Sequence, residues 1–365
     1  MQKIQSRPYF PHLDGLRFFA FLIVFISHAV LFIWDGKLFL AQGDLGVSFF
    51  FVLSGFLITF LLYFEKESAR GYIKLTHFYA RRILRIWPVY FMVLILSILL
   101  SQINFTHLPF EIGFNPASFP WFFGFITNFY LIAPGGLSVA LAVLWSISVE
   151  EQFYLVWPLI VSYSKKKYMP YILLGLIIFG TVFRYINFNK YAVVSYSTFS
   201  VVSDLAVGAL FGFFAFHRKN FSERMGLFFT KKRVRFLYLL IIGCLYIKMF
   251  PHGFITESLT PLYVALLPVI FSFLFACIIM EQNYSAHSFF KASTHPYITY
   301  LGKISYGLYA YHSIVIALVF SVLRMYAISS PALITILSFV GTIGIAHLSY
   351  RFIEKKIIAL KQHVL

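Results

Sequence analysis

Ten apolar stretches, each about as long as a bilayer-crossing helix, recur along this chain and constrain its fold more than any other feature. They lie at about 13–34, 45–64, 86–101, 141–163, 170–186, 198–216, 236–250, 261–280, 301–323 and 332–350. A transmembrane β-strand would alternate apolar and polar residues. Runs such as Phe91 to Leu100 and Ile172 to Phe179 are near-continuously apolar, which disfavours a β-barrel. Of the 365 residues 60% are apolar and 12% charged, against roughly 25% charged in soluble proteins. A soluble globule, a disordered chain and a fibrous chain are excluded. The expected fold is all-α: a polytopic integral membrane protein of about ten transmembrane helices.

Net charge is +17, with 30 Lys and Arg against 13 Asp and Glu. Cytoplasmic loops of membrane proteins collect Lys and Arg, so topology explains this better than nucleic acid does. The 65–85 loop carries Lys66, Arg70, Lys74, Arg81, Arg82 and Arg85. The 217–235 loop is equally basic, Lys165 to Lys167 follow the fourth stretch, and Arg351, Lys355, Lys356 and Lys361 follow the tenth. With an even span count these segments share one face with Lys3 and Arg7, which makes both termini cytoplasmic. The protein is expected in the cytoplasmic (inner) membrane. Trp121 to Ile132 is apolar but too short to span, and reads as a re-entrant or interfacial segment within an outer-face loop at 102–140. The first stretch is too long for a signal-peptide core and carries Arg17 and His28, so no cleaved leader is expected. No soluble domain is expected at either end. Cys244 and Cys277 both fall in apolar runs and read as small core residues. No metal-ligand spacing is visible, so no metal is expected.

Ionisable groups inside spans cost about 2.5–3.5 kcal/mol each on insertion scales, which makes them the functional candidates. They are Asp14, Arg17, His28, Glu150, Glu151, Asp204, His312 and His347. His28 follows Arg17 by eleven residues, which brings the two to one helix face within about 20°, about 16 Å apart along the axis. Asp14 precedes Arg17 by three residues and can pair with it. This suits an extended ligand with an anionic head at one face and a reactive tip deep in the bilayer. A snorkelling Arg17 and a hydrogen-bonded core His28 would give the same spacing. Glu150 and Glu151, in LWSISVEEQFYL, come to a depth similar to that of His28 and could orient its ring, or bond between helices. Ser305, Tyr309 and His312 form a polar stripe, lining a cavity or bonding within the core. Asp204 and Arg184 read as a structural ion pair. Arg81, Arg82 and Arg85 stand at the inner mouth of the third stretch, where they suit phosphate or anionic headgroups. Gly46, Ser48, Ser54 and Gly55 read as small residues at a helix crossing.

Six segments together resemble the membrane-bound acyltransferase family 3, which contains bacterial surface-polysaccharide O-acetyltransferases. They are LDGLRFFA at Leu13–Ala20 with His28 beyond it, LGVSFFFVLSGFLIT at Leu45–Thr59, FYARRILRIWPVYF at Phe78–Phe91, WSISVEEQFYLVWPL at Trp145–Leu159, ISYGLYAYH at Ile304–His312 and YRFIEK at Tyr350–Lys355. They stand in the family's order across nearly the whole chain. Lys356 departs from the family's frequent proline after the terminal Glu-Lys. The resemblance implies a single membrane acyltransferase domain over 1–365, helical over about 13–350. It implies transfer of an acyl group, usually acetyl, from cytoplasmic acyl-CoA to a hydroxyl of an extracytoplasmic carbohydrate such as O-antigen, exopolysaccharide or cell-wall glycan. It also implies that Arg17 and His28 are the essential pair.

On that reading Arg17, Arg81, Arg82 and Arg85 hold the donor's phosphates or steer its pantetheine arm. His28 acts as general base or acyl carrier. Glu150 or Glu151 fixes its tautomer, as the carboxylate of a triad does. Tyr309 or Ser305 donates to the oxyanion, and Asp14 and His312 line the cavity. The competing reading is a proton-coupled transporter or flippase of a glycan or small metabolite, against which no inverted repeat is visible.

Overall fold

A computed structural model describes residues 8–34, 41–69, 71–102, 116–133 and 139–359. Lys3, Arg7, Lys37, Arg70 and Lys361 lie outside the described residues, as do 103–115 and 134–138 of the expected outer loop. Among the described residues all regular structure is helical. A chain in lipid must satisfy its backbone internally, and apolar helices do so residue by residue.

The long helices are α1 (Pro11–Ile33), α2 (Gly43–Ser68), α3 (Leu75–Ser101), α4 (Leu144–Tyr163) and α5 (Met169–Ile186). They continue with α6 (Thr198–His217), α7 (Lys231–Met249), α8 (Thr260–Tyr284), α9 (Ser305–Met325) and α10 (Pro331–Ser349). Among the described residues, eight helical segments are long and apolar enough to cross a membrane. The exceptions are α4, which carries Glu150, Glu151 and Gln152, and α7, with five Lys and Arg. Hydroxyl caps start several helices: Ser197 accepts from the Phe199 N–H, Thr230 from Arg233 and Ser330 from Leu333.

The outward surface is itself apolar. In α5, Leu173, Ile177, Gly180 and Arg184 are buried at helical spacing, while Leu174, Ile178, Phe179 and Val182 are exposed. A water-soluble helix would present its polar face there; this one presents hydrocarbon, as a lipid-facing helix must.

Two features add detail to the sequence expectation. Trp121 to Ile132 is a broken element: helical turns at Phe119–Phe123 and Thr127–Ile132 flank a turn in which Phe125 takes a φ of 52°. Such an interruption cannot cross a bilayer as a continuous helix. α3 begins at Leu75, eleven residues before its apolar stretch, so Arg81, Arg82 and Arg85 are helical rather than in a loop. Hydropathy marks where greasy sequence begins, not where the helix does.

The chain divides into two compact units, each assembled from separated segments. The first comprises Met1–Arg17, Val47–Ile73 and Leu155–Thr299. In it α5, α6 and α8 pack on one another and α7 packs on α8. The small residues of α2 sit here against α6: a Cβ on Gly55 would run into the Leu205 carbonyl, and one on Gly208 into that of Val52. Backbones this close are what small residues allow between membrane helices. Gly208→Ala is therefore expected to cost about 1–3 kcal/mol by overpacking. Gly243→Ala, whose added methyl meets no other element within 4 Å, should hold or slightly raise the melting temperature in detergent. Equal melting temperatures for the two variants would refute the close crossing.

The second unit comprises Phe18–Gly46, Lys74–Tyr154 and Tyr300–Leu365. Here α9 packs along α10 and against α3. A π-helical turn, Tyr350–Glu354, follows α10.

Candidate active site

The second unit holds most of the expected site residues. His28, in the last third of α1, is half-buried. Its Nδ1 lies 2.7 Å from Nε2 of His312 on α9, the two rings meeting edge to edge with centroids 5.0 Å apart and planes 16° apart. His312 is completely buried, at 0% exposure. Its Nδ1 is 2.6 Å from the Tyr309 carbonyl, one turn back on the same helix. Phe21 and Phe25 of α1 close round the His312 ring, and Phe32 stacks on His28 at 5.6 Å. The sequence spacing thus becomes an imidazole pair in an aromatic sleeve. Among the described residues Nε2 of His28 has no hydrogen-bond partner.

The stripe on α9 has other commitments. The Tyr309 hydroxyl pairs with Ser146 Oγ at 2.7 Å and donates to the Val143 carbonyl at 3.2 Å. Ser305 is buried in the first turn of α9.

Glu150 and Glu151 do not supply the expected carboxylate to His28. Glu151 accepts from the indole Nε1 of Trp87 at 3.0 Å, and its other oxygen has no hydrogen-bond partner among the described residues. The ring nitrogen of His28 meets His312 instead. Depth along a span can be counted from sequence, but which helix stands beside α1, and at what rotation, cannot.

On α3, Arg81 and Arg85 are one turn apart, and all three arginines are half-buried. Arg82 lies over the Phe78 and Tyr154 rings, at 5.6 and 5.3 Å. Glu354, which the sequence reading passed over, is 6% exposed in the π-helical turn. It accepts from Ser349 Oγ at 3.2 Å, and Arg85 acts on it electrostatically. A lone acidic residue within the basic YRFIEK segment was the available signal. His347, without an assignment from sequence, has its Nδ1 2.6 Å from the Tyr300 hydroxyl.

In the first unit, Arg17 Nη1 is 3.0 Å from Asp14 Oδ1. The Tyr9 hydroxyl donates to the other Asp14 oxygen at 2.5 Å. Burial, reinforced by the bonded and charged Asp14, pushes the Tyr9 phenol up to about 12, so it stays a donor. Nearby, His12 Nδ1 is 2.7 Å from Ser293 Oγ. Gly15 lies against the Ala292 backbone with no room for a Cβ. Glu281, also passed over from sequence, is fully buried and accepts from Tyr238 and Gln282.

A family model described as acyltransferase domain matches residues 10–351. The peptidoglycan O-acetyltransferase OatA of Listeria monocytogenes is 30% identical over 378 residues, covering 96% of this chain and 56% of that protein. The O-acetyltransferase OatA of Staphylococcus aureus is 27% identical over 383 residues, covering 98% of this chain and 58% of that protein. The chain therefore spans somewhat more than half the length of these curated relatives. No solved structure matches it significantly.

Proposed function

Since the chain belongs to the membrane acyltransferase 3 family, we propose that it moves an acetyl group from cytoplasmic acetyl-CoA to a hydroxyl of an extracytoplasmic glycan, working in the cytoplasmic membrane with both termini inside. The relatives named for O-acetyl transfer support the reaction type. One observation carries the assignment of the base: His28 has one ring nitrogen engaged and the other without a partner among the described residues.

In this reading Arg81, Arg82 and Arg85 bind the phosphates of the donor, as guanidinium forks suit them. Arg17, on the same helix as His28 and held by Asp14, steers the pantetheine arm along α1. His28 Nε2 removes the proton of the acceptor hydroxyl as its oxygen attacks the thioester carbonyl. The oxygen–carbon bond forms and the carbon–sulfur bond breaks. His28 then returns its proton to the departing thiolate, leaving an acetyl ester and free CoA. The unpartnered oxygen of Glu151 orients the acceptor hydroxyl in this reading.

The test is transfer of label from radiolabelled acetyl-CoA to base-labile esters on surface glycan, using membranes that contain the protein. His28→Ala and Arg17→Ala should both abolish it. Transfer that survives both substitutions would reject the assignment, and glycan movement without acylation would indicate a transporter. Removing all three arginines (Arg81→Ala, Arg82→Ala, Arg85→Ala) should raise the KM for acetyl-CoA by more than tenfold, since each charged hydrogen bond contributes about 1.5–3 kcal/mol. An unchanged KM would take the cluster out of donor binding.

A further inference from the structure

We propose that His312 is a positioning residue that holds His28 in the one tautomer able to act as a base through Nε2. The inference rests on the acetyl-transfer reading above and assigns His312 a role in it beyond lining a cavity.

The argument is a chain of donors and acceptors. A backbone carbonyl only accepts, so the 2.6 Å contact from His312 Nδ1 to the Tyr309 carbonyl requires the proton on that nitrogen. A second proton on Nε2 would make His312 a cation. At 0% exposure, ringed by Phe21, Phe25 and the Tyr309 ring, that charge would lie in an apolar sleeve. His312 is therefore neutral, and its Nε2 presents a lone pair. The 2.7 Å contact then requires His28 Nδ1 to be the donor. In a neutral imidazole the lone pair falls on the other nitrogen, which places the basic site of His28 at Nε2. The Tyr309 carbonyl thus determines, through two rings, which nitrogen of His28 is basic.

The pair does what a carboxylate does in a Ser-His-Asp triad, orienting the base and accepting from its imidazolium, but with a neutral partner. When Nε2 of His28 takes the proton of the acceptor hydroxyl, Nδ1–H still points at His312, and no second ionised group need be held in the bilayer. The near-coplanar, end-to-end contact, with ring planes 16° apart, also resists turning of His28 about its side-chain bonds.

Two substitutions at His312 separate this role from packing. His312→Gln keeps an oxygen that can accept from His28 Nδ1–H. His312→Leu fills the space with no acceptor. The expected kcat is within about tenfold of the parent for His312→Gln and lower by on the order of 10²–10³ for His312→Leu. The KM for acetyl-CoA should change little in either. The proton itself is read by ¹⁵N solid-state NMR of histidine-labelled protein in lipid, the His28 signals being those lost in His28→Gln. The parent should show a protonated Nδ1 and a bare Nε2, and His312→Leu a mixture of tautomers.

A parent His28 that carries its proton on Nε2 overturns the proposal without any His312 variant. So does a His312→Leu protein that transfers acetyl at the parental rate, or one that loses activity with the His28 tautomer unchanged. If His28→Ala transfers acetyl normally, the underlying reading of His28 as base fails. If His28→Ala is inactive while His312→Leu is active, only the role of His312 falls.

Discussion

Replacing His28 with alanine should lower kcat/KM for acetyl transfer by about 10²–10⁴, the usual contribution of a positioned general base. The loss should appear mainly in kcat, because the imidazole acts on the proton that moves in the transition state rather than on the bound donor. Donor affinity should hold, since the arginines proposed to engage the donor lie on α3 and near the start of α1. Folding should hold too: the variant leaves His312 Nε2, a neutral acceptor, without its donor, and the fully buried ring keeps its bond to the Tyr309 carbonyl. The measurement is steady-state transfer in lipid, alongside the melting temperature of the same preparation. A fall in KM-based affinity with kcat intact would move His28 from chemistry to binding.

The second large effect concerns stability. Asp204→Ala should lower the unfolding free energy by about 3–5 kcal/mol, the cost of leaving a buried charge without its partner. Arg184 of α5 is 2% exposed; its Nη2 is 3.1 Å from Asp204 Oδ1 and its Nε donates to Ser200 Oγ at 3.1 Å. Asp204 also accepts from Ser48 of α2 at 2.7 Å, from Ser272 of α8 at 2.9 Å and from its neighbour Ser203. Four helices of the first unit are therefore tied at one carboxylate. Removing it strands the guanidinium in a place water does not reach. The double variant Arg184→Leu/Asp204→Leu should recover much of the loss, since a buried ion pair exchanged for apolar side chains is often neutral. If Asp204→Ala melts with the parent, the pair is not a fastener of this unit.

That ion pair shows what a membrane sequence makes legible. Arg184 and Asp204 each cost too much alone in lipid, so each implies a partner of opposite charge at its depth, and few are available. The same reasoning finds Asp14 beside Arg17, because three residues along a helix is a fixed distance. It also picks out His28 and His312, the two imidazoles that meet. It does not pair them with each other. Counted depth along the spans puts Glu150 or Glu151 beside His28, yet Glu151 bonds Trp87. Glu281 and Glu354 escaped notice because they sit at the ends of their apolar stretches, where a charge is ordinarily solvated; the helices run on and bury both.

Hydropathy, charge bias and helical periodicity are properties of the chain read residue by residue. They determined that this protein is made of long helices in a bilayer, and they marked most of the ionisable groups inside it, though not Glu281 or Glu354. The partners of those groups belong to the tertiary structure. Rotation of each helix about its axis and the choice of its neighbours depend on packing between segments hundreds of residues apart. A turn of one helix by a single residue, about 100°, would have given His28 a different companion with no change in the sequence pattern.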